Sequence, residues 1–414
     1  MGTVSPPGSP SAQCRLRGMA AAVPGQEGGM ERSGLTPQAA ADTSDLVDLV
    51  KAVGPFLSLR LTTEAGIDNA ARRSEQRWRA LRDDAAAQGA PVEVLDAVDP
   101  LVADAHLQGE GLAVVASAGG VLHVEHGQRV PERDLARWAA LPSLLPVVEW
   151  RQQFPAYVTV LADREGADLT AYRREGPDIH REAGGDDHPL RKPSPGGWSQ
   201  RRYQERAEHT WERNAADAAD QVVRLVRRVD ARVVAAAGDQ RALTLLEEAL
   251  PADLAERLVI VSGGRSADGS EDLFQQEARL AVEVAVNADA DALLEKFREE
   301  RGQDDRAAEG ARAVFAALAQ AAVDVLLVAA DDPDDVRMAW FGPEPTQLGT
   351  TAAEVRALGV DAPAEGRLVD VAVRAALGTG AGIHVVPASR AGSHVAGAGA
   401  GLEGGIGAIL RWSA

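Results

Sequence analysis

Cysteine is almost missing: the 414 residues hold one, Cys14. A lone thiol can neither staple a fold nor complete a zinc site, which fits a reducing cytosol. Aromatic rings are also scarce, at 4% against 45% hydrophobic residues, so the cores must be aliphatic, mostly Ala, Val and Leu. That filling suits helices packed on sheets better than a β-sandwich. No apolar run reaches the ~18 residues of a membrane span. The first residues, MGTVSPPGSPSAQCRLRGM, lack the apolar centre of a secretory signal. Positive charge is in deficit: 43 Lys and Arg face 62 Asp and Glu, a net charge of −19. A chain this acidic is a poor coat for nucleic acid, so any RNA contact must be local, and neither DNA nor a membrane is expected as a partner.

What is present reads as an α/β chain of three domains, each a mixed sheet with packed helices. Residues 1–42 are rich in Pro, Gly and Ser and read as a disordered tail, with Met30 a candidate start of translation. A first domain is expected over 43–150. Thr43–Asp45 caps a short helix, FLSLRLTT alternates as a strand, polar helices run over Asn69–Gln88 and Val92–Leu107, and Gly119-Gly120 turns a hairpin. A central domain is expected over 151–301. It opens with the hairpin YVTVLADREGADLTAY, followed by a structureless polar connection, Arg173–Gln200. A long helix then runs from about Arg202 to Val229, with Val222, Leu225, Val226 and Val229 at helical spacing. The strand ARVVAAAG, a helix capped by Asp239, the strand LVIVSGG and a helix over Gln275–Arg301 complete it. The third domain, 302–414, begins with a helix over Ala307–Ala322. It continues with VDVLLVAADD and VRMAWFG as strands, two short helices, IHVVP and a closing strand in GGIGAILRW.

One stretch stands out by charge. Between 191 and 206 five side chains are basic (Arg191, Lys192, Arg201, Arg202 and Arg206), and Glu205 alone is acidic. Pro193 and Pro195 stiffen the approach, and Gly196-Gly197 frees the backbone just before the cations. A mobile surface loop leading into a solvated helix is the bland reading. A tip that enters a phosphate-lined cavity is the sharp one.

The residues Gly196-Gly197-Trp198-Ser199-Gln200-Arg201-Arg202 resemble the glutamine loop of the archaeal/eukaryotic-type class-I release-factor superfamily, in its bacterial, actinobacterial branch. The common form there is Gly-Gly-Gln, and a tRNA-cleaving quality-control branch carries Gly-x-x-Gln, which Gly197–Gln200 fits. The resemblance covers roughly 43–414, strongest around 196–206 and in the ending GLEGGIGAILRW. It implies a third domain similar to the ribosomal L7Ae-type α/β sandwich. It implies partners in rRNA and the tRNA acceptor end, and a translational GTPase reached through the C-terminal domain. It implies a mechanism without a cofactor or metal: Gln200 orients a water beside the peptidyl-tRNA ester, and Gly196 and Gly197 set the loop. Arg191, Lys192, Trp198, Ser199, Arg201, Arg202 and Arg206 would meet RNA. Placement and solvent exclusion carry such catalysis, so no side chain need act as nucleophile. Trp198 and Ser199 separate glycine from glutamine here, and the first domain holds no Asn-Ile-Lys-Ser-like stretch, so stop-codon reading is not expected. The expected activity is peptidyl-tRNA hydrolysis on stalled ribosomes. The alternative is a Balon-type hibernation factor that fills the vacant A site and cuts nothing.

Other signals weigh less. Gly399–Gly404 spells Gly-x-Gly-x-x-Gly, but too few residues follow for a dinucleotide-binding unit. His180, His188 and His209 lie near Asp178, Asp186 and Asp187 at spacings that match no standard metal site. Asp331–Asp335 reads as a strand-end turn, and Glu295–Arg301 as a solvated helix face.

Overall fold

A computed structural model describes residues 42–64, 69–127, 131, 133–163, 165–174, 178–184, 197–263, 270–303, 306–330, 336–387 and 402–413, with the backbone alone for 197–208 and 270. The tail, Asp331–Asp335 and the start of the Gly399–Gly404 motif lie outside those residues. All described residues fall in one unit of the chain.

After a single turn at Ser44–Leu46, helix α1 (Val47–Lys51) leads into strand β1 (Phe56–Thr62). Helices α2 (Ala70–Ala87) and α3 (Val92–Ala105) and the hairpin of β2 (Gly111–Ser117) and β3 (Gly120–Gly127) follow as the pattern predicts. The antiparallel sheet runs β3-β2-β1-β4, where β4 spans Leu135–Ala139. The alternation in β1 sends Leu57, Leu59 and Leu61 into a cluster with Trp78, Val94 and Val98, while Phe56 joins a different core. Trp78 donates from Nε1 to Asp99 Oδ1 at 2.7 Å and ties α2 to α3. Neither β4 nor the next helix, α4 (Leu145–Gln153), is marked by the sequence pattern. Five residues are few for alternation to show, and α4 carries Pro146 in its first turn and a charge in mid-run.

That charge is Arg151, buried at 5% exposure. Its Nη1 and Nη2 donate to Asp45 at 2.6 and 2.7 Å, and its Nε donates to Glu125 Oε2 at 2.9 Å. Burial acts most strongly on Glu125 and would raise its pKa, but hydrogen bonds from His123 and Arg151 outweigh it and hold the carboxyl below its ordinary 4.5. The hydrogen bond from Arg151 also lowers Asp45. Carboxyls depressed on folding contribute stability that is present above their unfolded pKa values and is lost as pH falls through the folded ones. Glu125→Gln is expected to lower stability by about 1–3 kcal/mol near neutrality. Below pH 4.5 its stability curve should converge on that of the wild-type protein. Chemical denaturation across acid pH checks this, and parallel curves would contradict it.

The central sheet is mixed. β5 (Tyr157–Ala162) pairs antiparallel with β6 (Gly166–Tyr172), which pairs antiparallel with β7 (Ile179–Gly184). β7 corrects the expectation of a structureless Arg173–Gln200. It is an edge strand with four of six residues exposed, so its sequence carries no apolar alternation. Helix α5 then spans Gly197–Val229 and crosses to β8 (Val233–Gly238), parallel to β5. Its core stripe is Ala218, Ala219, Val222, Leu225 and Val226. Gly238, at φ +133°, sits so close to β5 that a Cβ there would collide with the Ala162 carbonyl oxygen. Asp239 caps α6 (Gln240–Ala249) as predicted, accepting from the N–H of Arg241 at 3.0 Å and of Ala242 at 3.3 Å. The short α7 (Ala252–Ala255) and β9 (Leu258–Ile260) complete the order β7-β6-β5-β8-β9.

Tyr157 and Tyr172 face each other across β5 and β6 with rings stacked 4.5 Å apart. Burial, then the neighbouring phenol, pushes Tyr157 up to about 12, and burial raises Tyr172 as well. Phenols raised on folding contribute stability that is complete below their unfolded value of 10.0 and is lost as pH rises toward 12. Ultraviolet titration should show two late-ionising phenols, with unfolding accompanying their loss, and Tyr157→Phe should remove one of them. Ordinary titration of all three tyrosines in the folded chain would contradict this.

Helix α8 (Ser270–Gly302) is about 50 Å long. Phe274, Ala278 and Val282 are buried in its first half, whereas Leu293, Leu294 and Phe297 cluster with Val325, Leu327 and Ile409. The chain continues through β10 (Ala307–Glu309), α9 (Gly310–Ala319), β11 (Val323–Ala329), β12 (Met338–Phe341) and β13 (Leu348–Gly349). It ends with α10 (Ala352–Ala357), β14 (Ala364–Arg367), α11 (Leu368–Gly378), β15 (Gly382–Val386) and β16 (Ile406–Leu410). Two sheets form, β10-β16-β11-β15 and β13-β12-β14. The helix expected over Ala307–Ala322 is corrected to a strand plus a shorter helix. Gly310, at φ +78°, breaks the run of alanines between them. One core joins the two ends of the chain: Leu145 and Val148 of α4 share it with Leu318, Leu326 and Val373. Several sheets with helices packed on them make this a mixed α/β fold, as the sequence indicates.

Candidate functional site

The site rests on how α5 is held. At its C-terminal root, Asp230 takes a left-handed conformation, φ +52°, and the chain turns into Arg232. Arg232 grips Asp289 of α8 with two hydrogen bonds, the Nε one at 2.6 Å, and Arg257 donates to the Ala231 carbonyl at 3.0 Å. The middle of the helix is fastened to the β5–β6 turn. Asp163 closes that turn by accepting from the N–H of Glu165 and of Gly166, and Asn214 Nδ2 donates to Glu165 O at 3.1 Å. Trp211, Asn214 and Ala215 lie against Ala162, Asp163 and Gly166 there.

Just N-terminal to this point, over residues 209–213, the helix is mostly exposed. Ala215 is the first of its described residues to be buried, and His209, Thr210, Glu212 and Arg213 are exposed. The backbone nevertheless stays helical back to Gly197. From Gln200 to Ala215 that is about 22 Å of helix. The helix is anchored from Asn214 to Arg232, and its backbone begins at the residues the sequence singles out.

Gly197, Trp198, Ser199 and Gln200 therefore occupy the first turn of α5, and Arg201, Arg202 and Arg206 follow on the same helix. This corrects the expected start near Arg202. Glycine is tolerated where a helix begins, so Gly197 can open the first turn. Gly196, Arg191, Lys192 and His188 lie outside the described residues. The first turn carries no acidic residue. A helix N-terminus has a partial positive charge, so acids would ordinarily be favoured there and arginines disfavoured. Arginines following a first turn without acids make an end suited to an external anion such as phosphate.

The remaining sequence candidates separate. His180 Nδ1 lies 3.0 Å from Thr170 Oγ1, and His209 Nδ1 lies 3.3 Å from Glu212. Among the described residues no group of His, Cys, Asp and Glu is placed to hold a metal ion. Arg298 pairs with Glu295, and Arg301 pairs with Glu309. No described helix is long and apolar enough to cross a membrane. The sequence pattern gave no sign of the cleft of about 190 Å³ beside the root of α5, lined by Arg151, Arg174, Arg232, Arg257 and His384. Its residues come from far-separated stretches, and no local signal marks them.

Comparison with known proteins bears on the same segment. The family model of bacterial archaeo-eukaryotic release factor family 2 matches residues 156–303, which include all of α5 and its anchors on β5, β6 and α8. A Mycobacterium tuberculosis protein, Rv2629, is 29% identical over 287 residues, covering 68% of this chain and 76% of that protein. Among solved structures, Pelota of Archaeoglobus fulgidus covers 90% of this chain and 93% of its own, at 14% identity and a TM-score of 0.32. A ribosome-bound archaeal Pelota with ABCE1 covers 90% and 95%, at 12% identity and a TM-score of 0.38. Over its central residues 156–303 the chain is similar to bacterial archaeo-eukaryotic release factor family 2.

Proposed function

We propose that this protein binds the ribosome and hydrolyses the peptidyl-tRNA ester on stalled complexes, without reading stop codons. The observation that carries this reading is the coincidence of the family match with the start of α5, where Gly197–Gln200 precede three arginines on one helix. In this reading Arg201, Arg202 and Arg206, with Arg191 and Lys192, neutralise rRNA or tRNA phosphates, and Trp198 and Ser199 contact RNA. Gly196 and Gly197 let the chain enter the helix at the tip. Gln200 orients a water toward the ester carbonyl. Water oxygen adds to the carbonyl carbon, the bond to the tRNA ribose oxygen breaks, and the proton from water ends on that oxygen. The products are a peptide acid and free tRNA. A cytoplasmic location and a translational GTPase docking on residues 302–414 belong to the same reading.

A second reading is favoured by one observation: the Gly-x-x-Gln spacing lies on helical backbone. That places Gln200 in a turn of helix and suits occupation of a vacant A site without cutting. Incubation of the full chain with stalled ribosome–peptidyl-tRNA complexes distinguishes the two. Release of free peptide is expected for the hydrolase. Binding without any release would leave only the second reading, and absence of binding would end both.

A further inference from the structure

A cleft of about 440 Å³ opens where α1 and the start of β1 meet β12, β14 and α11, far along the chain from α5. Its walls are mostly apolar, with Leu49, Phe56, Leu141, Phe341 and Ala364 among them. Its size falls in the range of about 300–1,000 Å³ typical of small-ligand sites. One charged group in its wall makes no ion pair with a described residue. Arg374, on α11, is 8% exposed. Its hydrogen bonds run only to main-chain carbonyls, from Nη1 to Glu344 at 3.3 Å and from Nη2 to Pro343. Its guanidinium lies 5.3 Å from the centroid of the Phe341 ring, and among the described residues no carboxylate is within ion-pair distance.

A buried cation held by carbonyls and an aromatic face is costly until an anion joins it. Burial lowers the pKa of Arg374 from its ordinary value, an effect that the Glu344 charge opposes. The other acid in the wall is already engaged: Asp370, 2% exposed, accepts from Ser143 Oγ at 3.1 Å and lies 3.8 Å from Arg367. Lys51 stands at the rim and faces Asp48 at 3.8 Å. Arg374 is therefore buried without an ion pair among the described residues, beside the Asp370 carboxylate, which would repel a doubly charged group. A guanidinium fork matches a planar carboxylate through two parallel hydrogen bonds.

We propose that this cleft binds a small amphipathic monocarboxylate, its carboxylate on Arg374 and its aliphatic body against Leu49, Phe56 and Leu141. The test is calorimetric titration of the full chain with octanoate, 1-octanol and octyl phosphate. Octanoate is expected to bind saturably, about tenfold or more tighter than octanol, because only octanoate offers a charged acceptor to Arg374. Arg374→Met, which keeps the apolar stem, should remove that preference. Ala364→Phe should weaken octanoate by filling the cleft while leaving the cation in place. Absence of octanoate binding to the wild-type protein overturns the proposal, as does equal affinity for octanoate and octanol. Tighter binding of octyl phosphate overturns the single-charge assignment. The comparison among the three probes needs no variant, so a failure of Arg374→Met to fold does not protect the proposal.

Discussion

Gln200→Ala is expected to abolish peptide release from stalled ribosomes while the protein still binds them. A catalyst that works by placing a water loses its effect when the placing group goes, and misplacement by about 1 Å already costs roughly 10²-fold. The first turn of α5 carries no acid that could take over. Alanine favours helix, so the turn should survive the substitution. Ribosome affinity should change by less than about threefold, because the cations remain and phosphate contacts dominate such binding. The two readouts together give the prediction its force. Loss of release with binding intact assigns Gln200 to the chemical step. Unchanged release removes it from the mechanism, and loss of both points to a folding defect.

Replacing Arg201, Arg202 and Arg206 together with alanine is expected to give the largest loss of ribosome affinity available from this surface. In a chain of net charge −19 the rest of the body is repelled by RNA, so binding depends on a few local cations. Each phosphate neutralised contributes a slope of about 0.7–0.9 in log affinity against log salt. Five contacts predict a fall of roughly 100- to 500-fold between ~50 and ~200 mM salt for the wild-type protein, and only about tenfold for the triple variant, which keeps Arg191 and Lys192. Co-sedimentation with ribosomes at the two salt concentrations reads both numbers. A triple variant with the wild-type salt slope would show that the contacts lie elsewhere. The variant should fold normally, since the core stripe of α5 begins at Ala215, well past the substituted positions.

The parts of this fold that could be read from sequence are those in which burial repeats locally. β1 alternates because Leu57, Leu59 and Leu61 share a face, and α5 is legible from Val222 to Val229 because its apolar stripe packs on the central sheet. Asp239 was legible because capping is decided within three residues. Elements that face water or another part of the chain were not. β7 is a polar edge, and β13 and β14 are too short for a period to show. Arg151 carries no local sign of burial, yet it is the buried junction of Asp45 and Glu125. The shared core of Leu145 with Leu326 has no local signature, since nearly half the chain separates the two.

The candidate site was legible by composition and not by conformation. Glycines next to a cluster of cations in an acidic chain identify the segment at once. That the segment starts a helix, and is carried about 22 Å beyond the first core residue, depends on the anchors at Asn214 and Arg232. Glu165 and Asp289, which hold those anchors, lie far from Gln200 in sequence, so no local pattern could have marked them. Arg374 was hidden for the same reason: its lack of an ion pair among the described residues is a property of the folded neighbourhood, not of α11.

Photocrosslinking from position 198 is the most direct test of where the start of α5 goes. With p-benzoylphenylalanine in place of Trp198, irradiation of ribosome complexes should yield adducts to large-subunit rRNA or to the tRNA acceptor end. Adducts only to this protein's own residues, or none in complexes that demonstrably contain the protein, would contradict the account.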